Sequence, residues 1–249
     1  FYVMERVKGV ILRQAKHPGL TLDEAYMSSA CQTLIRTMAE VHALDVEEVG
    51  LSALGRPEGY ITRQVEGWTR RYQRAKTDTI ESVEQVARWL ADHRPAEGPP
   101  TVIHNDYKYD NLVLSLEGPG QALAVLDWEM CTVADPLMDL GTSLAYWFDP
   151  DDPAAMRMLP FGPTLLPGNL NRQGVIEAYQ QATGREVLNP VFYYVYGLFK
   201  VVGIAQQIYA RFKAGHSTDQ RFAMMIEAVR LLGAQAKRAI DAGRVHSIG

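Results

Sequence analysis

The amino-acid sequence predicts an α+β fold that is mostly helical, with a small β-hairpin at its centre. Apolar residues recur at helical spacing over several long stretches on both sides of the chain's middle. Between them, two short apolar runs enclose the turn "EGPG" at residues 117–120. The chain has 249 residues, 47% of them hydrophobic and 22% charged, so it can bury a sizeable core.

The N-terminal half is predicted to contain three helices. The first lies in "TLDEAYMSSACQTLIRTMAEVHAL", where Thr21 and Glu24 fit a capping box. Helical patterns then cover residues 60–74 and 80–93. The Pro- and Gly-rich stretch "PAEGPP" ends this half of the chain.

The middle of the chain is predicted to form the hairpin. "TVIH" and "NLVLS" are typical of short strands, and "ALAVLDW" returns from the turn, so residues 111–128 form the hairpin. A helix is predicted over 137–147. Residues 149–169 are rich in Pro, Gly and Asp and predict a long loop, a feature that is often functional in a compact domain.

The C-terminal part is predicted to be helical over residues 171–183, 190–213 and 218–242. Asn189 and Pro190 suit the N-cap and the first position of the second of these helices.

Composition restricts the possible partners and compartment. The formal net charge of −4 argues against a nucleic-acid partner. No apolar run approaches the roughly 20 residues that cross a bilayer, and no signal peptide opens the sequence. Cys31 and Cys131 have no metal-ligand spacing and predict free thiols. We therefore expect a cytoplasmic protein without a nucleic-acid or membrane partner.

The stretch "VIHNDYKYDN" at residues 102–111 carries the strongest functional signal. Its polar residues by themselves would also fit a solvated turn. The hairpin, however, brings Asn111 to the same end as Asp127, and such oxygen ligands suit Mg²⁺. Asp106 can accept a proton from a hydroxyl, and Lys108 can place a positive charge on a phosphoryl group. A base, a metal pair and charge neutralisation are the parts of a phosphoryl-transfer site.

The pattern His104-x-Asp106-x-Lys108-x-x-Asn111, followed by Asp127, resembles the catalytic loop and metal-binding Asp of the protein-kinase-like fold. "LDWEMCTVADPLMDLGTSLAYW" resembles more specifically the aminoglycoside phosphotransferase and choline kinase group. The resemblance implies the large C-terminal lobe of that fold, with ATP and Mg²⁺ as cofactors. It implies that Asp106 is the catalytic base, that Asn111 and Asp127 are Mg²⁺ ligands, and that Lys108 contacts the γ-phosphate. A solvated lysine remains the alternative for Lys108.

The N-terminal stretch "FYVMERVKG" resembles the hinge between the two lobes of that family. The resemblance implies that residues 1–10 are the hinge and the end of a missing N-terminal lobe, and that residues 11–249 are the helical catalytic and substrate-binding lobe. Met4 would then lie at the back of the nucleotide pocket, and Glu5 and Val7 would bind the adenine edge. The pattern of residues 1–3 is that of a strand. Because the family's Gly-rich loop and phosphate-binding Lys precede the hinge, the lobe alone is expected to be a poor enzyme.

Several neighbouring residues are expected to play supporting roles. By the resemblance, Asp139 bonds the backbone of the catalytic loop and His42 is a structural histidine. Asn105 stands where the family usually has Gly. For Asp110, Glu129 and Asp135, a solvated or helix-capping role is at least as well supported as catalysis.

The sequence also bears on the substrate. Residues 170–249 contain ten basic and five acidic side chains, which favours an anionic or amphipathic substrate over a polycation. The alternative is that these charges decorate a solvated surface. "GYITRQVEGWTRRY" and "IYARFKAG" resemble the phosphotransferase domains associated with acyl-CoA dehydrogenases, which implies a hydroxyacyl substrate, such as a CoA thioester. A non-catalytic lobe that binds a nucleotide or a protein partner is the competing hypothesis.

Overall fold

A computed structural model describes residues 5–249, so the predicted strand at residues 1–3 and Met4 lie outside the described part of the chain. The described residues form eight α-helices and four short strands. The helices are α1 (Glu24–His42), α2 (Tyr60–Ala75), α3 (Glu81–Asp92), α4 (Pro136–Ala145), α5 (Ala154–Arg157), α6 (Arg172–Thr183), α7 (Pro190–Lys213) and α8 (Met225–Ala242). The strands are β1 (Thr101–Ile103), β2 (Leu112–Ser115), β3 (Gly118–Val125) and β4 (Thr132–Ala134). The predicted α+β, mostly helical fold is confirmed.

The predicted hairpin is present as the antiparallel pair β2–β3, in which Leu112 lies opposite Val125. A second antiparallel pair, β1–β4, joins Thr101 to Ala134 and was not apparent from the sequence. The segment that precedes α1 runs beside the hairpin, because Val10 and Leu114 exchange two backbone hydrogen bonds of 2.9 and 2.8 Å. The residues just before Val10 therefore enter the fold next to the hairpin.

Helix α7 is the centre of the core. It is buried over most of its first half and packs against α2, α4 and α8. Its crossing with α4 is unusually close, because a Cβ on Gly141 would lie 2.2 Å from the Tyr193 carbonyl oxygen, and a Cβ on Gly197 would lie 2.2 Å from the Gly141 carbonyl oxygen. Glycine at both positions lets the two backbones touch.

Some helix starts differ from the predictions. Helix α1 is capped by Asp23, whose carboxylate accepts a hydrogen bond from the Tyr26 amide, so the predicted capping box at Thr21 is wrong. Helix α7 begins at Pro190 after Asn189, as predicted. The helix predicted from residue 218 begins only at Met225, because Gln220–Met224 forms a 3₁₀ turn capped by Asp219.

The predicted loop 149–169 is confirmed apart from the single turn of α5. Its first residues surround Arg172, which is fully buried. The Arg172 guanidinium donates to the Asp152 carboxylate at 2.6 and 2.7 Å and lies 3.3 Å from Asp149. A buried charge needs such paired and hydrogen-bonded surroundings, so this cluster anchors the start of the loop to α6.

Candidate active site

Asp106 and Lys108 form an ion pair at the candidate site. The Lys108 ammonium group lies 2.8 Å from Oδ1 and 2.6 Å from Oδ2 of Asp106. Both side chains are about one-fifth exposed, 23% for Lys108 and 20% for Asp106. Lys108 also lies over the ring of Tyr146, 4.4 Å from its centroid. The proposed base and the proposed phosphate contact therefore meet in a partly desolvated position, where a charge interaction is stronger than in water.

The backbone of the catalytic loop is held by Asp139, as predicted. Its two carboxylate oxygens accept hydrogen bonds from the amides of His104 at 2.7 Å and Asn105 at 2.8 Å. His42 Nε2 lies 3.2 Å from the same carboxylate, and His42 Nδ1 lies 2.8 Å from the Tyr179 hydroxyl. Burial alone would raise the pKa of Asp139, but His42 and the loop amides hold it below its usual value. The expected structural role of His42 is confirmed.

His104 connects the loop to the strand that leads to Asp127. Its Nδ1 accepts a hydrogen bond from the Asp106 amide at 3.2 Å, and its Nε2 lies 2.7 Å from the Leu126 carbonyl oxygen. A carbonyl can only accept, so Nε2 carries the proton. The imidazole thus ties the backbone of Asp106 to the residue that precedes Asp127.

Asn111 and Asp127 lie at the same end of the hairpin. The pair Leu112–Val125 is the last of the ladder, and the Leu126 amide donates to the Asn111 carbonyl at 2.8 Å. Asp127 follows directly with φ of 69°, a left-handed conformation that is uncommon for residues other than glycine and enriched for Asp. Such conformations persist where the surroundings impose them, often at functional sites.

The oxygen ligands available at this end of the hairpin suit a magnesium ion. The Asn111 amide group donates to the Asp106 backbone carbonyl at 2.9 Å and to its carboxylate at 3.2 Å, which leaves Oδ1 of Asn111 for a cation. The Asp127 carboxylate is exposed and accepts no hydrogen bond within residues 5–249. No group of three His, Cys, Asp or Glu side chains in that range could hold a metal by itself. One carboxylate and one amide suit Mg²⁺, which keeps several waters and binds substrate phosphates.

Asn105 has a role that the sequence did not reveal. It adopts φ of 67°, which explains why this position otherwise suits Gly, since Asn tolerates the left-handed region. Its side-chain amide donates to the Tyr60 hydroxyl and to the Met130 carbonyl, each at 3.0 Å. Its backbone carbonyl accepts a hydrogen bond from the buried ammonium group of Lys200. In the sequence, Lys200 is one of the ten basic residues of the C-terminal segment and carries no further signal.

Of the remaining predicted site residues, one caps a helix, and others are exposed or lie outside the described residues. Asp135 caps α4 through the Leu137 amide at 2.9 Å, which confirms a capping role. Glu129 is exposed, which fits the solvated alternative. Glu5 and Val7 lie exposed in a segment without helix or strand, so their nucleotide contacts stay a prediction, as do those of Met4 outside the described residues.

A cavity of about 220 Å³ lies beside the catalytic loop. We call it the aromatic cavity, and its apolar walls are Leu34, Tyr107, Tyr109, Tyr146, Trp147 and Phe161. Lys108 also lines it, and residues 160–164 of the long loop close one side. Burial, followed by the nearby Asp106 carboxylate, raises the pKa of Tyr146. The cavity therefore borders the Asp106–Lys108 pair.

The C-terminal segment does not present its ten basic residues as one cationic face. Arg172 and Lys200 are buried. Lys213, Arg221, Arg230 and Lys237 form ion pairs with acidic side chains. The alternative reading, in which most of these charges belong to a solvated surface, is the better description of the segment.

Comparison with known proteins identifies relatives. The phosphotransferase enzyme family (APH) matches residues 1–172. Acyl-CoA dehydrogenase family member 11 of Gallus gallus is 31% identical over an alignment of 251 residues that covers 97% of this chain and 31% of that protein. Acyl-CoA dehydrogenase family member 10 of Mus musculus is 32% identical over an alignment of 226 residues that covers 88% of this chain and 20% of that protein. The chain thus spans a third or less of the length of these relatives.

Solved structures share the fold. A protein of Ralstonia eutropha JMP134, provisionally described as an aminoglycoside phosphotransferase, is 28% identical with a TM-score of 0.84, over 96% of this chain and 72% of that one. Choline kinase from Cryptosporidium parvum Iowa II has a TM-score of 0.62 at 11% identity, over 98% of this chain and 72% of that one, and shows the fold alone. The present chain resembles these relatives in its sequence and in its helical lobe. It therefore belongs to the phosphotransferase enzyme family and has a protein-kinase-like fold.

Proposed function

We propose that the chain transfers the γ-phosphoryl group of ATP to a hydroxyl group of a small molecule. The observation that carries this proposal is the fixed loop geometry. Asp139 and His104 hold the backbone amides of residues 104–106, and the hairpin places Asn111 and Asp127 at one end. A phosphoryl transfer needs mainly positioning and charge stabilisation, and such a preorganised loop supplies both.

Each side chain then has a defined task. Asp106 accepts the proton of the hydroxyl while the hydroxyl oxygen bonds to the γ-phosphorus and the bond to ADP breaks. Lys108 exchanges its contact with Asp106 for one with the transferring phosphoryl group. Asn111 and Asp127 would hold Mg²⁺, which supplies positive charge to the phosphates. Glu5 and Val7, together with Met4, would contact the adenine of the nucleotide.

We propose that the acceptor is a hydroxyacyl compound, such as a hydroxyacyl-CoA, in the cytoplasm. Two observations support this class. Relatives over nearly the whole chain are named as acyl-CoA dehydrogenase family members. The aromatic cavity beside Asp106 suits a hydrocarbon chain, because burial of each CH₂ contributes about 0.8 kcal/mol. A polycationic aminoglycoside has no matching acidic wall in that cavity, where Asp110 is the single acidic side chain among the described lining residues.

The test is a phosphorylation screen with the full-length gene product, ATP and Mg²⁺. Hydroxyacyl-CoAs of four to ten carbons and aminoglycosides are offered in parallel, and ADP release and product mass are measured. We expect phosphorylation of hydroxyacyl-CoAs. Efficient turnover of an aminoglycoside alone would refute the acceptor class. Nucleotide binding without turnover of any acceptor would favour a non-catalytic lobe.

A further inference from the structure

A second cleft has a volume of about 330 Å³. It is lined by Asn105, the residue before Asp106, whereas the aromatic cavity is lined by Tyr107, the residue after Asp106. We call it the polar cleft. Its polar lining residues are Tyr60, Gln64, Arg71, Asn105, Glu129, Thr132 and Lys200. Those from α2 belong to the stretch "GYITRQVEGWTRRY", which the proposed reaction leaves without a task.

Lys200 is the most informative residue of the polar cleft. Only 3% of it is exposed, and its hydrogen bond goes to the neutral carbonyl of Asn105. No carboxylate of residues 5–249 forms an ion pair with it. An ammonium group has three donors, so two remain for another partner. Burial lowers the pKa of Lys200 to about 8, as expected when a charge leaves water without a full counter-charge.

Arg71 is the second cation of the cleft. Arg71 lies over the ring of Trp68, 4.7 Å from its centroid, and forms no ion pair within the described part of the chain. Its planar guanidinium is suited to bidentate binding of a carboxylate or phosphate. The cleft thus holds two cations that form no ion pair among residues 5–249, against a single carboxylate, that of the exposed Glu129. This lining suits an anion.

We infer that the polar cleft binds an anionic group of the acceptor, a carboxylate or a phosphate, through Arg71 and Lys200. The inference rests on the proposed function, since it assigns a part of the same substrate. Asn105 and Tyr107, the chain neighbours of Asp106, line the polar cleft and the aromatic cavity respectively. A hydroxyl at Asp106 would thus lie between a site for the hydrocarbon chain and a site for the charge.

The first experiment separates charge recognition from catalysis. Kinetics of the full-length gene product are measured with a hydroxyacyl-CoA, with the free hydroxy acid and with the uncharged N-acetylcysteamine thioester. We expect Arg71→Gln to raise KM for the charged acceptors about 10- to 100-fold, the range for loss of a charged hydrogen bond, with kcat and the neutral thioester little changed. Arg70→Gln is the matched control, because Arg70 is the next residue of α2, is exposed and does not line the cleft. A response to the free acid assigns a carboxylate, and a response to the CoA thioester alone assigns a phosphate.

The second experiment does not depend on turnover. Binding of butyryl-CoA and of butyrate, which lack the hydroxyl, is measured by calorimetry for the wild type, Arg71→Gln, Lys200→Met and Arg70→Gln. Loss of binding in the first two variants but not in Arg70→Gln supports the anion site even if no acceptor is phosphorylated, in which case the proposed function fails and the site stands. Turnover and binding that are equal in Arg71→Gln and Arg70→Gln would overturn the site while leaving the proposed function intact.

Discussion

The ammonium group of Lys108 lies 2.6 Å from a carboxylate oxygen of Asp106, only two residues before it in the chain. The same ammonium group lies over the ring of Tyr146, which lines the aromatic cavity. Lys108 therefore links the proposed base to the proposed acceptor site. Its positive charge also compensates the negative charge that the proposed base needs for proton transfer.

Removal of the base should abolish most turnover. We expect Asp106→Ala to lower kcat of the full-length gene product about 10²–10⁴-fold, the usual contribution of a positioned base. Nucleotide binding should change little, because the carboxylate acts on the acceptor. Asp127→Ala should remove Mg²⁺-dependent nucleotide binding as well as turnover. Full activity of Asp106→Ala on the true acceptor would show that another group is the base.

Removal of the Lys108 charge should affect the chemical step. We expect Lys108→Met to lower kcat about 10²–10³-fold, as is typical when one charge-stabilising contact is lost. The exposed Lys16, substituted in the same way, is the control and should retain wild-type kinetics. Equal kcat in the two variants would assign Lys108 to the solvated alternative.

Asp139 should be essential for stability as well as for loop geometry. In Asp139→Asn, an NH₂ group faces one of the two loop amides, and the unsatisfied buried donor should cost about 1–3 kcal/mol. The folded-state pKa of Asp139 is lowered, so its stabilisation is present above its unfolded pKa near 3.8 and is lost as pH falls below that value. Urea unfolding should show a difference from wild type at pH 7 that shrinks towards pH 3. The exposed Asp151, changed to Asn, should show no such pH dependence.

The buried Lys200 predicts a stability change at alkaline pH. Its pKa is about 8 in the fold and 10.5 ordinarily, because the cost of burial and the charges of Lys108 and Arg71 outweigh the attraction of Asp139 and Asp106. Below pH 8 Lys200 is protonated in both the folded and the unfolded state, and the full cost of burying its charge lowers the free energy of unfolding. Between pH 8 and 10.5 only the unfolded state binds it, so stability rises with pH, by at most about 1.4 kcal/mol per unit.

The measurement for Lys200 is the difference in unfolding free energy between wild type and Lys200→Met at pH 7, 8, 9 and 10. The wild type should gain relative to the variant over this range. A difference that is independent of pH would show that Lys200 does not titrate there.

The contact of α4 with α7 predicts a strong response to a single methyl group. Gly141→Ala places a Cβ against the Tyr193 carbonyl, and the helices must separate, at a cost of about 1–3 kcal/mol or more. Gly67→Ala on α2 meets only the end of the Arg71 side chain and should stabilise by up to about 1 kcal/mol. Thermal unfolding of both variants tests the comparison, and equal melting temperatures would contradict it.

The sequence predicted those parts of the site that depend on local order. The catalytic loop and Asp127 follow from the residues at strand ends, and two short apolar runs around a turn predict the hairpin that brings Asn111 and Asp127 together. The turn itself lies at residues 116–117, because the last three residues of "EGPG" begin β3. The pairing of β1 with β4 escaped prediction, because three-residue strands carry too little periodicity and their partners are about thirty positions apart.

Burial was the property that the sequence could not supply. Lys200 meets Asn105 across 95 positions, and Arg172 is enclosed by Asp152 together with Gln235 of α8, which bonds the same carboxylate. The sign of a charge is visible in the sequence, but its exposure depends on these distant contacts. For this reason, the ten basic residues of 170–249 do not form one cationic face, and the anion site that we propose combines only Lys200 of this segment with Arg71.

Asn105 is held from both sides, its amide by Asp139 of α4 and its carbonyl by Lys200 of α7, and the two helices are locked together at Gly141 and Gly197. Asn105 and Lys200 of this support also line the polar cleft, whereas other lining residues of the cleft and of the aromatic cavity come from α2 and from the loop 149–169. Substitutions in α2 and in that loop are therefore expected to change the preference for the acceptor while Asp106 stays in place. The lobe is therefore a scaffold on which substitutions, natural or engineered, can change the acceptor preference one wall at a time.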